Sequence, residues 1–325
     1  MRFARLFVFT AALAVGTASL AGAVPVYVSQ WGSFGTGNGQ FDANWGVDVD
    51  PAGNVFVADQ NNSRIQKFDN NGNFIMAFGT FGTGDGQFRL PRGVATDDGG
   101  NVYVADTFND RVQVFDNNGV FLRKWGTSGV ANGQFNRPEG IDIAPGAGGL
   151  VHVADTRNNR VQVFSQLGVF VRQFGTLGSG NGQMQTPGDV AVDATGRVYV
   201  ADTDNNRVQR FSPTGVYQIQ WGTVGSGAAN FLGPQGIAIG IANDVYVMDT
   251  NNHRGKRFDQ NGVAMGIWGS IGSGNGQFVQ PAGLALDSGE EVFVCDTGNH
   301  RVQKFNESPS SNESSSWGRV KRLYR

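Results

Sequence analysis

Six copies of one pattern run through this chain at a nearly constant period, and a chain built this way must fold as an array. Each copy closes one strand-like run with Asp and opens the next with Arg: Asp59/Arg64, Asp106/Arg111, Asp155/Arg160, Asp202/Arg207, Asp249/Arg254 and Asp296/Arg301. Successive Asp residues stand 47, 49, 47, 47 and 47 positions apart. A unit this short cannot bury its apolar face alone, so neighbours must stack to make a shared core.

The second copy shows what one unit contains. Arg92–Asp97 reads as a short strand and Asp98–Asn101 as a turn. Val102–Asp106 is a second strand, rich in β-branched and aromatic residues. Thr107–Asp110 turns the chain into a third strand, Arg111–Asp116. Asn117–Gly119 supplies the positive-φ residues of a hairpin, and Val120–Gly126 is a fourth strand. A Gly-rich loop, Thr127–Pro138, leads to the next unit. Four short antiparallel strands per unit make a propeller blade. The chain is therefore expected to be all-β, a six-bladed β-propeller of four-stranded antiparallel blades.

The last copy has three strands, Ala282–Asp287, Glu291–Asp296 and Arg301–Phe305, and lacks the fourth. Val26–Gly32 (VYVSQWG) matches the fourth-strand pattern of Tyr217–Gly222 (YQIQWG). The N-terminal strand is thus predicted to complete the last blade and close the ring, which removes its open edges.

The chain ends differ from the array. Arg2 and Arg5 precede an apolar run, Leu6–Leu20, and Ala21-Gly22-Ala23 has the small residues of a cleavage site. Residues 1–23 are expected to be a signal peptide, which places the protein in the periplasm or outside the cell. Residues 24–305 form the propeller. Residues 306–325, Ser-rich and then basic, read as a disordered tail. The whole chain carries a formal charge of −2. Setting aside the two N-terminal Arg and the tail leaves the array near −6. Such a body lacks the basic footprint that nucleic acid requires, so RNA ranks last among partners. Cys295, the sole cysteine, takes the place of Ala58, Ala105, Ala154 and Ala201 and reads as a small buried side chain.

Val102–Phe115 (VYVADTFNDRVQVF), Val151–Phe164 (VHVADTRNNRVQVF) and Val292–Phe305 (VFVCDTGNHRVQKF) resemble NHL repeats, as does the lead-in Pro281–Asp287. The resemblance covers residues 26–305 and implies a six-bladed propeller. It implies little about activity. NHL propellers include protein-binding and RNA-binding modules, extracellular sensors and a zinc- and calcium-dependent peptide-amidating lyase.

Strand parity puts the turns between strands two and three on the same face as the long Gly-rich loops. Binding residues favour long loops on a rigid scaffold, so this face is the candidate interaction surface. The six Asp/Arg pairs lie there too. They read as exposed hairpin pairs worth roughly 0.2–1 kcal/mol each, structural rather than catalytic. Departures from the repeat carry more information. Phe108 and Arg157 follow the strand-two Asp-Thr in adjacent blades, an aromatic beside an Arg as in binding hot spots. Trp45, Arg92, Glu139, Asp189, Gln235 and Ala282 enter strand one and are expected to ring the channel mouth. Glu139 and Asp189, on neighbouring blades, are candidate oxygen ligands for Ca²⁺.

His253 and His300 share one repeat slot and His152 sits in another, so the three do not converge on a zinc set. No HExxH, GxSxG, Walker or CxxC motif is present. The loops of the Gly35–Phe41 type have strands after them rather than helices, so they read as inter-blade turns anchored by Phe41, Phe88, Phe135 and Phe278. The expected function is a monomeric scaffold binding a protein, peptide or envelope ligand. The alternative is a metal-dependent lyase or hydrolase with its site at the channel mouth.

Overall fold

The computed structural model describes residues 24–146 and 148–307. The expected signal peptide, and the tail beyond Glu307, lie outside the described residues. Six four-stranded antiparallel sheets form the six blades. The innermost strands, Asn44–Val49, Val94–Thr96, Pro138–Ile143, Pro187–Val192, Pro234–Ile239 and Leu284–Leu286, surround the central channel. In every blade the Asp and Arg of the repeat are direct cross-strand partners, as in Asp106↔Arg111. Among the described residues no helix is long and apolar enough to cross a membrane.

The ring closes as the pattern predicted. Pro25–Trp31 pairs antiparallel with Arg301–Glu307, from Pro25↔Glu307 to Trp31↔Val302. The last strand runs to Glu307 because Pro25 and Val26 give Asn306 and Glu307 partners.

Burial follows strand position. The second and third strands, such as Val102–Asp106 and Arg111–Phe115, are buried along their whole length between neighbouring blades. The fourth, Phe121–Trp125, alternates and forms the outer rim. Phe41, Phe88, Phe135 and Phe278 are fully buried, so the Gly-rich loops are anchored as expected. At the rim, Trp125 lies on the hairpin of the next blade, where a Cβ on Gly168 would stand 2.7 Å from its ring.

The Asp/Arg pairs depart from expectation because the Gly-rich loop folds over them. Asp106 is fully buried and Arg111 only 6% exposed. Asp106 Oδ1 accepts the N–H of Arg89 at 2.8 Å. Its Oδ2 accepts from Arg111 Nε (2.7 Å), Asn109 Nδ2 (2.9 Å) and Gln113 Nε2 (3.1 Å). Arg111 then donates to the carbonyls of Thr83, Gly84 and Gln87 in the loop, each at 2.8 Å. Burial pushes the Asp106 carboxyl up, and the Arg89 N–H, Asn109 and Arg111 pull it back. The pair is thus a buried latch between loop and blade, not a surface ion pair.

The turn after the latch Asp is a single turn of 3-10 helix in five blades, Thr107–Asn109 being the first. Left-handed residues end these turns: Asp110, Asn159, Asn206, His253 and His300. Each accepts a backbone N–H from the next blade, as Asn159 Oδ1 does from Thr186 (2.9 Å) and His300 Nδ1 from Ala43 (3.3 Å).

Candidate functional site at the channel mouth

Five blades carry glycine at one level, within the inner strand or just before it: Gly46, Gly93, Gly140, Gly236 and Gly283. Adjacent strands approach so closely there that a Cβ on Gly93 would lie 2.2 Å from the Glu139 carbonyl oxygen. In the fourth blade this level belongs to Asp189. Asp189 pairs with Ala201, whereas Val47 pairs with Val57 and so sets Gly46 opposite Ala58. The residue aligned with Trp45, Arg92, Glu139, Gln235 and Ala282 is therefore Gly188. Asp189 sits one residue deeper than the mouth position expected for it. The longer first hairpin of blade three shifts the numbering by two, and the strand register then sets the level. The Asp189 carboxylate accepts the N–H of Val190 (2.9 Å) and that of Ile237 on the next blade (3.1 Å).

Above this level a cavity of about 210 Å³ opens on the long-loop face. Arg92, Glu139, Arg157 and Gln235 line it, as do Thr186 and Asp204. Arg92 is held from three sides. Its Nε donates to Gln60 Oε1 at 3.0 Å, its Nη1 pairs with Glu139, and its guanidinium carbon stands 4.3 Å from the Trp45 ring centre. Burial raises the Glu139 carboxyl, while Arg92 and then Arg157 lower it. Gln235 Oε1 packs toward Gly188 and accepts no hydrogen bond among the described residues. Arg157 and Asp204 project from the 3-10 turns of blades three and four and are exposed.

Phe108 does not join this group. Its aromatic–arginine contact is with Arg137, whose guanidinium carbon lies 4.4 Å from the ring centre, and not with Arg157. Asp204 and Thr186 were not among the sequence candidates. Asp204 is visible as the variable residue at the repeat position of Phe108 and Arg157, but that comparison alone does not place it at the mouth. Thr186 has no such signal, because it reaches the mouth only through the left-handed backbone that Asn159 supports.

Below the glycine level lies a second cavity of about 210 Å³, bounded by the inner strands. Asp48, Asp142 and Asp189 line it. Burial raises Asp48 to about 6 and Asp189 to about 7. Asp142 is raised well above its ordinary value, by burial and then by the Asp48 charge. Each carboxylate ties its blade to the next. Asp48 accepts from the Thr96 N–H (2.6 Å) and hydroxyl (2.8 Å), and Asp142 from the Val192 N–H (2.7 Å).

Metal chemistry gains no geometric support. Among the described residues no group of three or more His, Cys, Asp or Glu side chains is placed to hold a metal ion. Glu139 is engaged by Arg92, and both oxygens of Asp189 accept backbone N–H groups. This pair does not fit Ca²⁺, and no step is derived through it. His152 is buried in the slot of Tyr103 and Tyr199. Cys295 is fully buried, and burial raises its thiol far above the ordinary range.

A family model described as NHL repeat matches residues 45–68, 88–115, 135–164, 184–211 and 278–305. The chain is a six-bladed β-propeller, and five of its six blades carry an NHL repeat. Protein lin-41 of Caenorhabditis elegans is 49% identical over 45 residues, which are 14% of this chain and 4% of that protein's length. Virginiamycin B lyase from Staphylococcus aureus superposes with a TM-score of 0.58 at 14% identity, covering 81% of this chain and 94% of the lyase. A gluconolactonase from Xanthomonas campestris gives 0.60 at 13% identity, covering 90% and 99%. At such identities the likeness shows the fold alone.

Proposed function

We propose that this protein is an exported binding propeller that captures its ligand at the long-loop mouth of the channel. One observation carries the reading. The repeated polar residues are engaged in latches and blade ties, whereas the residues that differ between blades, Arg92, Glu139, Arg157 and Gln235, converge on one cavity. Concave sites with a few convergent polar groups are where small ligands bind. Capture from an envelope or secreted extract tests it, comparing the wild-type chain with Arg157→Ala/Gln235→Ala and with Asn118→Ala on the opposite face. Loss confined to the mouth variant is expected, and equal capture by all three overturns the reading.

A second reading, a lyase or hydrolase working in the channel, is favoured by Asp189, whose carboxyl titrates near neutrality as catalytic acids often do. Burial raises it against those two backbone hydrogen bonds, and the bonds give the carboxylate a blade-tying role, which leaves the binding reading in front. Lyase or hydrolase turnover by the purified protein separates the two: activity present in the wild type and lost in Asp189→Asn would favour the enzyme.

A further inference from the structure

We infer that the mouth takes a small zwitterion, an α-amino acid or the free end of a short peptide; the inference rests on the mouth being the binding site. Charge at the mouth sorts into two sets. Arg92 and Glu139 form a direct ion pair that Trp45 and Gln60 fix in place, and Arg157 acts on Glu139 only through space. Arg157 and Asp204 remain, one cation and one anion on adjacent blades, both facing the same cavity. Among the described residues neither side chain makes a hydrogen bond or an ion pair. Their backbones, by contrast, are held. The Arg157 N–H donates to Asn136 O and the Asp204 N–H to Gln185 O, at 3.1 and 3.2 Å.

The fixed turns therefore present two opposite charges, neither held in an ion pair, to one open cavity. A purely anionic ligand would meet Asp204, and a purely cationic one would meet Arg157. A ligand carrying both charges satisfies both: a carboxylate on the Arg157 guanidinium, which matches its planar fork, and an ammonium on the Asp204 carboxylate. Size agrees. The cavity, about 210 Å³, is smaller than the roughly 300–1,000 Å³ of drug-sized pockets. Neutral threonines, Thr156 and Thr203, stand beside the two charges. Their hydroxyls already donate to Pro187 O (2.9 Å) and Pro234 O (2.7 Å), so the charged pair, with Gln235 Oε1 and Thr186 Oγ1, both unpartnered among the described residues, is left to select the ligand.

The test is calorimetric titration of the full-length protein with the free proteinogenic amino acids and with dialanine, N-acetyl-dialanine and dialanine amide. Binding of at least one free zwitterion is expected, with a loss of tenfold or more when either of its ends is blocked. Arg157→Ala should abolish the penalty for blocking the carboxylate, and Asp204→Asn that for blocking the amine. Both residues are exposed and their side chains support no neighbour, so both variants should fold; circular dichroism checks this. Zwitterions that do not bind at millimolar concentration, or blocked probes that bind as well as free ones, overturn the inference. If they do so while Arg157→Ala/Gln235→Ala still loses partner capture, the mouth stands and only its ligand class falls. Loss of neither overturns both.

Discussion

At the scale of single residues, the latch Asp shows how a surface motif becomes a core motif. Asp155 accepts from the Asn136 N–H, Arg160, Asn158 and Gln162, all at 2.7–3.1 Å and all donors. Asp155→Asn would turn an amide toward these donors. The expected cost is about 3–5 kcal/mol, the penalty for leaving a buried charge unpaired, read from denaturant unfolding. The titrating groups set opposing acid responses. His152 is held down to about 4 by burial and then by Arg172. The unfolded chain therefore takes up that proton first, and stability falls between pH 6.5 and 4 by roughly 3 kcal/mol. Asp48 and Asp189, raised by burial, are protonated first in the native state. They add stability as pH drops from about 7 toward 4, and that contribution is lost again as pH rises through their folded values. Phe56 and Phe293 occupy the His152 slot in other blades, so His152→Phe should fold and should flatten the acid loss. Asp189→Gly should remove part of the acid gain. Melting temperature measured from pH 8 to 4 checks both signs.

At the scale of one element, blade five shows compensation within a strand pair. Other blades set Ala or Cys opposite Val or Ile, as in Ala105↔Val112. Blade five sets Met248 opposite Gly255. A Cβ on Gly255 would lie 2.1 Å from Trp268 Cζ2 and 2.6 Å from Met248 Cε. Lys256 replaces the latch Gln, and its ammonium lies 3.1 Å from Asp249 Oδ2. Residues 231–258 are the copy that the NHL family model does not match, although the blade is complete. Gly255→Val alone should cost about 1–3 kcal/mol by overpacking. Combined with Met248→Ala it should cost less than the two changes summed, with a coupling of about 0.5–3 kcal/mol in a double-mutant cycle. Additive losses would show that the two positions are independent.

At the scale of the molecule, closure decides stability. Pro25–Trp31 completes the last blade, and Trp31 lies against Phe68 of the first blade at a ring-centre distance of 5.8 Å. Deleting Val26–Trp31 should lower the melting temperature of the whole ring in a single transition. A separate early transition with an unchanged main one would mean that the closing strand frays independently.

The number of blades, their four strands and the identity of the closing strand were legible in the chain, because each follows from local alternation, turn residues and a constant period. Arg92, Glu139, Arg157 and Gln235 were legible as departures from the repeat. The burial of the Asp/Arg latch was not, because it depends on a loop from the preceding connection folding back over the hairpin. The depth of Asp189 was not, because strand register, and not position along the chain, sets the level of a side chain in the channel. The meeting of Arg157 with Asp204 was not, because residues 47 apart in sequence become neighbours only when the ring brings their turns to one axis.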